Sequence, residues 1–240
     1  MIVDGKKIAE EILADIGDSL RGRKLGIVMG SSDPATESFI RIKSKVAARL
    51  GVKVVHGEFS KLLTSCDGII VQLPIANSDE LLAQLPADKD VDALGHAPSV
   101  LPPVAGAVAE VLMRQGVDVV GKKIVVVGAG RLVGRPAAEM LKEMGGEVTV
   151  VTTNSGSLEE LKTADVVVLG AGDPGFIKPE MLKQGVVLID AGTSESSGKL
   201  AGDADPACAD IASIFTPVPG GIGPIAVAMI FKNLLALVQK

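Results

Sequence analysis

The chain has 240 residues, of which 47% are hydrophobic and 22% are charged, and this predicts a compact globular protein rather than a disordered chain. Its formal net charge of −5 and its lack of Trp and Tyr argue against a nucleic-acid partner, which needs a basic surface and rings for base stacking. The sequence shows neither a secretion signal nor an apolar run of membrane-spanning length. We therefore expect a cytoplasmic protein with no membrane partner.

Short apolar runs alternate with helix-like segments along the chain. Runs of strand character cover residues 25–29, 68–71, 124–127, 148–151, 166–169 and 186–189. Their apolarity is continuous rather than alternating, which indicates strands that are buried on both faces. The pattern predicts an α/β fold with parallel sheets.

A helix is predicted between Asp33 and Gly51, because Asp33-Pro34 resembles an N-cap followed by proline and because glycine often ends a helix. The expected apolar arc of this helix consists of Phe39, Ile42, Val46, Ala47 and Leu50. Lys43 falls inside that arc, where a low dielectric lowers the pKa of an amine and suits it to proton transfer. Alternatively, its stem covers the core and its charge reaches water. Position alone leaves both interpretations open.

Polar groups at a strand end and in an acidic segment are further candidates. Gln72 lies near the carboxyl end of the run 68–74. The carboxyl ends of parallel strands face the ligand crevice, although an ordinary loop amide is the alternative. Residues 88–92 (DKDVD) alternate three carboxylates but lack the glycine and glutamate of a calcium loop, so no metal site is predicted. Cys66 and Cys208 stand alone, which argues against a zinc site or a disulfide framework.

The second half of the chain has the pattern of a dinucleotide-binding unit. The strand 124–127 runs into the glycine loop 128–134 (GAGRLVG) and then into a helix. Such glycines let backbone N–H groups approach a pyrophosphate at a helix N-terminus. An ordinary strand-to-helix turn is the alternative, since the glycine spacing is one residue longer than in the commonest fingerprint.

The choice of coenzyme is predicted from the end of the next strand. NAD enzymes usually place a carboxylate there, on the ribose hydroxyl. This chain has Thr152-Thr153-Asn154-Ser155 instead, which tolerates a 2'-phosphate, and Arg131 or Arg135 could pair with that phosphate. We therefore predict NADP rather than NAD, although both arginines could equally belong to a solvated surface.

The order of these segments predicts two domains. A boundary is expected near residues 105–121, where one helical pattern ends and a new strand begins. The final apolar segment follows a glycine-proline turn and is expected to pack back on the first domain. We predict a catalytic domain of residues 1–115, completed by a helix at about 222–240, a dinucleotide-binding domain of residues 116–221, and a ligand cleft between them.

Several motifs together resemble the bifunctional methylenetetrahydrofolate dehydrogenase/methenyltetrahydrofolate cyclohydrolase family. They occur in the family's order, at residues 3–6 (VDGK), 39–43 (FxxxK), 71–74 (VQLP), 88–92 (DKDVD), 133–136 (VGRP) and 216–224 (TPVPGGIGP). The last of these is specific to the family. The resemblance implies NADP-dependent oxidation of 5,10-methylenetetrahydrofolate to the 5,10-methenyl form, hydrolysis of that product to 10-formyltetrahydrofolate, and a homodimer.

The resemblance also implies which residues form the sites. Lys43 matches the catalytic lysine, Gln72 the residue that holds and polarises it, and Asp92 the acid that hydrogen-bonds the pterin. The other residues expected at the tetrahydrofolate derivative are Phe39, Val71, Leu73, Pro219, Gly220, Gly221, Ile222 and Gly223. Those expected at NADP are Gly128, Ala129, Gly130, Arg131, Thr152, Thr153 and Thr193.

The chain departs from the family at several positions. Phe39 stands where the family has tyrosine, residues 101–104 (LPPV) replace Pro-Cys-Thr-Pro, Gly130 replaces serine and Ala226 replaces threonine. A helix between residues 57 and 66 is expected to be largely missing. These differences predict a weakened hydrolase step.

Other functions are alternatives to the bifunctional enzyme. They are a monofunctional dehydrogenase, a non-catalytic NADP-binding paralogue, and a two-domain dehydrogenase for another small substrate. Retention of Lys43, Gln72 and Asp92 together argues against the paralogue, and the segment 216–224 argues against another substrate.

Overall fold

A computed structural model describes residues 1–30, 34–196 and 199–239. The chain divides into two compact units. Unit 1 consists of Met1–Ile8 and Val104–Ala226, and unit 2 consists of Ala9–Pro103 and Val227–Lys240. Within the described ranges, no helix combines the length and apolarity that crossing a membrane requires.

Helices and strands alternate along most of the chain. The helices are α1 (Gly5–Ile16), α2 (Pro34–Arg49), α3 (Phe59–Ser65), α4 (Ser78–Gln84), α5 (Pro103–Arg114), α6 (Gly134–Glu143) and α7 (Ile222–Val238). The strands are β1 (Lys24–Met29), β2 (Lys53–His56), β3 (Gly68–Gln72), β4 (Lys123–Val127), β5 (Glu147–Val151), β6 (Val166–Leu169), β7 (Val187–Asp190), β8 (Ser194–Ser196), β9 (Lys199–Ala201) and β10 (Ile214–Thr216). Short 3₁₀ helices lie at Leu158–Thr163, Pro179–Met181 and Pro206–Asp210.

Unit 2 contains a parallel sheet with the strand order β2-β1-β3. Its register places Met29, the last residue of β1, opposite Gln72, the last residue of β3. A further parallel bridge joins Ile69 of β3 to Asp90. Since β2 and β3 lie on opposite sides of β1, the strand order reverses between β1 and β3. In open α/β sheets, ligand sites form at the carboxyl ends of the strands where the order reverses.

Unit 1 contains a parallel sheet with the strand order β10-β7-β6-β4-β5. All residues of β6 and β7 are buried, as expected for strands covered on both faces. The strand order reverses between β4 and β6, so the loops after these two strands flank the expected ligand crevice. The antiparallel pair β8-β9 stands apart from this sheet.

The predicted α/β class with parallel sheets is confirmed, and each of the predicted strand runs is a strand. The short strands β2 and β10 and the β8-β9 pair were not predicted, because three or four residues give too weak a pattern. The prediction that a helix is largely missing between residues 57 and 66 is wrong, because α3 occupies this segment. A Cβ atom on Gly26 of β1 would lie 3.2 Å from the Cβ atom of Leu62, so α3 packs closely on the sheet.

Candidate functional site

The buried face of α2 has Lys43 at its centre. The face is formed by Thr36, Ile40, Ala47 and Leu50 on either side of a half-buried Lys43. The predicted arc was therefore misplaced, because Phe39 and Ile42 are 45% and 46% exposed. The centre of the buried face lies about 60° around the helix axis from the centre of the predicted apolar arc. Apolar residues are common on protein surfaces, so apolarity alone did not identify the inner face.

The ends of α2 agree with the predicted helix where the structure describes them. Pro34 is the first helical residue, and the predicted N-cap Asp33 lies outside the described residues. Gly51 follows the helix with φ of +69°, and the N–H of Val52 donates back to the oxygen of Ala47 at 2.9 Å. Glycine fits this left-handed position and ends the helix.

Lys43 and Gln72 are in direct contact at the strand-order reversal of unit 2. The Lys43 Nζ atom donates to the Gln72 Oε1 atom at 2.9 Å. The Gln72 Nε2 atom donates to the oxygen of Leu73 at 3.0 Å, which fixes the amide with its oxygen toward the lysine. A neutral amide orients the ammonium group without cancelling its charge, so Lys43 can still act on a ligand.

Asp92 completes a polar set with Lys43 and Gln72. Burial raises the pKa of the Asp92 carboxyl group, and the Lys43 ammonium group acts in the opposite direction. The residue as a whole is only half-buried, whereas its carboxyl group is desolvated. A carboxyl and an amine whose charges interact beside a strand end are typical of a functional site.

The other charges of residues 88–92 have structural tasks that the sequence did not indicate. The Lys89 Nζ atom donates to the carbonyl oxygens of Leu63 and Cys66, at 2.6 and 2.8 Å, and so caps the end of α3. Asp90 is 1% exposed and accepts from the N–H of Gly95 at 2.7 Å. Burial raises the pKa of Asp90, and this N–H opposes the rise. Both residues hold the segment that carries Asp92.

Asn233 of α7 is another residue that the sequence analysis missed. Its Nδ2 atom donates to the carbonyl oxygens of Val91, at 2.9 Å, and Leu101, at 2.8 Å. Asn233 is 5% exposed, and a buried amide in a mostly apolar helix is the signal that could have identified it. It fixes the backbone immediately before Asp92.

The remaining residues expected at the folate are divided between the two units. In unit 2, Val71 is buried, Leu73 is half-buried and Phe39 is exposed one turn before Lys43. The segment Pro219, Gly220, Gly221, Ile222 and Gly223 belongs to unit 1. There Gly220 has φ of +107° and Ile222 is buried.

The segment 219–223 packs against the beginning of α1 within unit 1. The N–H of Gly5 donates to the oxygen of Gly220 at 2.9 Å. A Cβ atom on Gly5 would lie 1.8 Å from the oxygen of Gly221, so only glycine fits there. This contact brings the segments 3–6 and 216–224 together within unit 1.

The glycine loop of unit 1 has the close packing that a dinucleotide site requires. Gly128 has φ of +97°, and its N–H donates to the oxygen of Val151 at 2.8 Å. A Cβ atom on Gly134, the first residue of α6, would lie 2.0 Å from the oxygen of Gly128. A Cβ atom on Gly130 would meet open space. The loop therefore leads tightly into a helix N-terminus and leaves room for an anion there.

The turn after β5 lies beside this loop, because Val127 pairs with Val151 in the β4–β5 register. Thr152 closes the turn: its N–H donates to the oxygen of Ser155 at 2.8 Å, and its Oγ1 atom accepts from the N–H of Asn154 at 3.2 Å. Thr153 is exposed. The turn presents hydroxyl and amide groups and no carboxylate.

Thr193 is exposed in the loop after β7, and its hydroxyl lies 3.5 Å from the oxygen of Ala191. The loop is held by Asp190, a 1% exposed residue that accepts from the N–H groups of Gly192, Asp203 and Ala204. Burial raises the pKa of Asp190 to about 6, even though these N–H groups favour the charged form. Asp190 was not predicted from the sequence as a residue that supports the site.

The two parallel sheets, the glycine loop at one strand-order reversal and the Lys43–Gln72–Asp92 set at another define the class: an α/β enzyme with a dinucleotide site and a separate polar site. Residues 102–240 match the model of the tetrahydrofolate dehydrogenase/cyclohydrolase NAD(P)-binding domain. This chain belongs to the tetrahydrofolate dehydrogenase/cyclohydrolase family. The resemblance predicted from the sequence motifs is confirmed, as is a nicotinamide dinucleotide as cofactor.

Relatives match along nearly the whole chain. The bifunctional protein FolD of Halothermothrix orenii is 35% identical to this chain over an alignment that covers 97% of this chain and 95% of the relative. The structure of bifunctional FolD, methylenetetrahydrofolate dehydrogenase/cyclohydrolase, from Campylobacter jejuni superposes with a TM-score of 0.92 at 28% identity and covers 100% of this chain and 98% of that one. FolD from Trypanosoma brucei, complexed with NADP cofactor and inhibitor, gives a TM-score of 0.88 at 28% identity and covers 100% and 97%.

Proposed function

We propose that this protein oxidises 5,10-methylenetetrahydrofolate with NADP and hydrolyses the resulting 5,10-methenyl form to 10-formyltetrahydrofolate. The observation that carries the proposal is the 2.9 Å contact between Lys43 and Gln72 beside the desolvated carboxyl group of Asp92. A protein that only bound the dinucleotide would have no need of an oriented amine in unit 2. Membership of the family and full-length similarity to bifunctional enzymes support both activities.

Unit 1 fits the proposed cofactor. The loop Gly128, Ala129, Gly130 and Arg131 would receive the pyrophosphate, with open space at Gly130 and the N-terminus of α6 behind it. Thr152 and Thr153 would lie at the ribose and Thr193 near the remaining part of the dinucleotide. Since the turn after β5 carries no carboxylate, a 2'-phosphate would meet no repulsion, and Arg131 or Arg135 would pair with it. These features favour NADP over NAD.

Bound NADP supplies the hydride-accepting nicotinamide, so the dehydrogenase step requires mainly that the protein position the substrate. Asp92 would hydrogen-bond the pterin through its desolvated carboxyl group. Phe39, Val71, Leu73 and the segment Pro219, Gly220, Gly221, Ile222 and Gly223 would border the folate. Fixing the substrate in this way is expected to account for most of the rate of the first step.

The hydrolase step needs proton transfer at the one-carbon unit. Water adds to the methenyl carbon and loses a proton, which leaves a hydroxyl group on that carbon. The bond from the carbon to N5 then breaks as the hydroxyl loses its proton to form the formyl carbonyl, and N5 takes up a proton, so that one proton is released overall. Lys43 would assist these transfers, since the residue is half-buried and its Nζ atom is directed by the Gln72 oxygen. Gln72 would keep the amine aimed at the reacting carbon during these transfers.

The exposed ring of Phe39 would stack on the folate without providing a hydrogen bond. A phenyl group keeps the packing surface of a tyrosine but lacks the hydroxyl that could orient Lys43 or a water molecule. We therefore propose that hydrolysis is the weaker of the two activities.

We further propose that residues 1–115 with 222–240 form the folate-binding domain and that residues 116–221 form the dinucleotide-binding domain. We also propose that the protein acts in the cytoplasm and that it is a homodimer. The family resemblance supports the dimer. Sedimentation of the purified protein tests it, and a monomer at working concentrations would contradict it.

The experiment that tests the proposed function measures the two reactions separately on the purified protein. NADPH formation is followed with 5,10-methylenetetrahydrofolate, and hydrolysis is followed with the 5,10-methenyl form in the absence of NADP. We expect both activities, with hydrolysis the slower. Failure to form NADPH would refute the dehydrogenase, and methenyl decay at the uncatalysed rate would leave only the first activity.

A further inference from the structure

The loop after β6, residues 170–173, lies directly against the glycine loop after β4. A Cβ atom on Gly128 would lie 2.5 Å from the oxygen of Gly170 and 3.0 Å from the nitrogen of Ala171. Because β4 and β6 are neighbours at the strand-order reversal of unit 1, these two loops form opposite sides of the expected crevice. The conformation of residues 170–173 therefore helps to set the shape of the dinucleotide site.

A buried carboxylate holds this loop. Asp203 is 0% exposed, and its carboxylate accepts from three consecutive backbone N–H groups, those of Ala171 at 2.7 Å, Gly172 at 3.1 Å and Asp173 at 2.9 Å. Hydrogen bonds to an ionised acceptor are about twice as strong as neutral ones. A buried carboxylate without such partners would be costly, so the loop and the carboxylate stabilise each other.

The backbone of Asp203 is itself fixed on both sides. Its N–H donates to the Oδ1 atom of Asp190 at 3.2 Å, and its oxygen accepts from the N–H of Ile177 at 3.0 Å. A Cβ atom on Gly192 would lie 2.3 Å from the Cγ atom of Asp203, so the carboxylate fits tightly against the loop after β7. Asp203 thus connects the loops that follow β6 and β7.

The contacts of Asp203 also indicate that the anion site lies at the glycine loop 128–134 and not at residues 170–173. Three consecutive N–H groups can bind a phosphate, but in residues 171–173 they already bind the Asp203 carboxylate. The pyrophosphate is therefore left to the glycine loop and the N-terminus of α6. Asp203 shapes the crevice from within the protein without touching the cofactor.

We propose that Asp203 is a positioning residue for the dinucleotide: its carboxylate fixes residues 170–173 in the conformation that binds NADP. The inference rests on the proposed NADP-dependent function. It adds to that function a buried residue that acts on NADP binding indirectly, through the loop 170–173.

The test replaces Asp203 with asparagine, which keeps the shape of the side chain. An amide nitrogen cannot accept, so the Asp203→Asn variant leaves at least one N–H of residues 171–173 unpaired. We expect the Kd for NADP, measured by calorimetry where circular dichroism shows the variant to be folded, to rise about tenfold or more. KM for NADP should rise while kcat changes little.

The matched control is Asp205→Asn, which makes the same substitution two residues later. The Asp205 carboxylate accepts from the N–H of Ala207 at 2.9 Å and is paired with Lys178. The hydrogen bonds to residues 171–173 are made by Asp203 instead. NADP affinity should be unchanged in this variant. An unchanged Kd in a folded Asp203→Asn protein, or an equal rise in both variants, would overturn the proposal.

If Asp203→Asn does not fold, Gly172→Ala decides the question. Gly172 is exposed with φ of +75°, and an added Cβ atom would lie 3.6 Å from the Ser194 hydroxyl, so alanine fits the space but strains this loop conformation. We expect NADP to bind about threefold more weakly or worse, and an unchanged Kd would overturn the proposal. If the native protein itself did not bind NADP, the proposed function would fail instead.

Discussion

Single side chains determine how the two proposed activities compare. Phe39 and Lys43 lie one turn apart on α2, yet Phe39 is 45% exposed whereas Lys43 is half-buried and bonded to Gln72. The exposed ring is available to a ligand, so its chemistry affects the reaction more than the stability of the core. The missing phenol therefore bears on the hydrolase step.

Phe39→Tyr should raise methenyl hydrolysis more than NADPH formation. A phenol beside Lys43 adds a group that can orient the amine or a water molecule, and such contributions reach about a hundredfold. Because Phe39 is exposed, the free energy of unfolding should change by less than about 0.5 kcal/mol. Separate initial rates of the two reactions measure the effect.

The control for Phe39→Tyr is Ile42→Tyr, because Ile42 is 46% exposed on the same helix and about 100° away from Lys43 around the axis. It should leave both rates unchanged. Equal changes in the two rates of Phe39→Tyr would show that the phenol does not act on hydrolysis.

Asp190 predicts a specific pH dependence of stability. Burial raises the pKa of its carboxyl group from 3.8 to about 6, so the folded state holds the proton more tightly than the unfolded state. The resulting stabilisation is fully present below about pH 3.8 and is lost as the pH rises through 6. Between about pH 4 and pH 7, the free energy of unfolding should fall by about 2 kcal/mol through this one carboxyl group.

Denaturant unfolding of native protein and Asp190→Asn across this pH range measures that loss. Asparagine does not titrate, so the difference in unfolding free energy between the two proteins isolates residue 190. Native protein should lose about 2 kcal/mol relative to the variant as the pH rises. A difference that stays constant, or that changes in favour of the native protein, would show that the pKa of Asp190 is not raised.

At the scale of elements, the strands and the glycine loop were predictable because they depend on local sequence. The run 166–169 is continuously apolar and is fully buried as β6. The glycine loop needs residues without side chains within a few positions of each other, and the sequence shows them directly. Such local patterns predict a dinucleotide-binding unit, although they left an ordinary strand-to-helix turn as the alternative.

The parts that could not be predicted depend on contacts between distant residues. Asn233 lies 142 positions from Val91, whose carbonyl oxygen it binds, and Asp203 lies 32 positions from Ala171. The inner face of α2 was misplaced for a related reason: Thr36 is polar but buried, whereas Phe39 is apolar but exposed. Only the packing of neighbouring elements decides these cases.

The turn after β5 predicts which coenzyme binds. Thr153→Asp places a carboxylate where a 2'-phosphate is expected, so repulsion should weaken NADP binding about tenfold or more and leave NAD binding unchanged or tighter. Calorimetric titration with each dinucleotide measures the change. The control Thr153→Ala removes the hydroxyl without adding a charge, and it should change both affinities little. If Thr153→Asp instead weakened the binding of NADP and NAD equally, the assignment of this turn to the 2'-phosphate would be contradicted.

At the scale of the whole molecule, the proposed chemistry is divided between the two units. Unit 1 supplies the dinucleotide site and unit 2 supplies Lys43, Gln72 and Asp92. A change to the polar set should therefore alter catalysis without altering the affinity for NADP.

A comparison of Lys43→Met with Lys45→Met tests whether catalysis and NADP affinity are separated in this way. Methionine keeps an unbranched apolar stem but removes the amine, and Lys45 is an exposed lysine on the same helix. In Lys43→Met, methenyl hydrolysis should fall by about a hundredfold or more while the Kd for NADP is unchanged, and Lys45→Met should retain both properties. Full hydrolysis by a folded Lys43→Met protein would contradict the account.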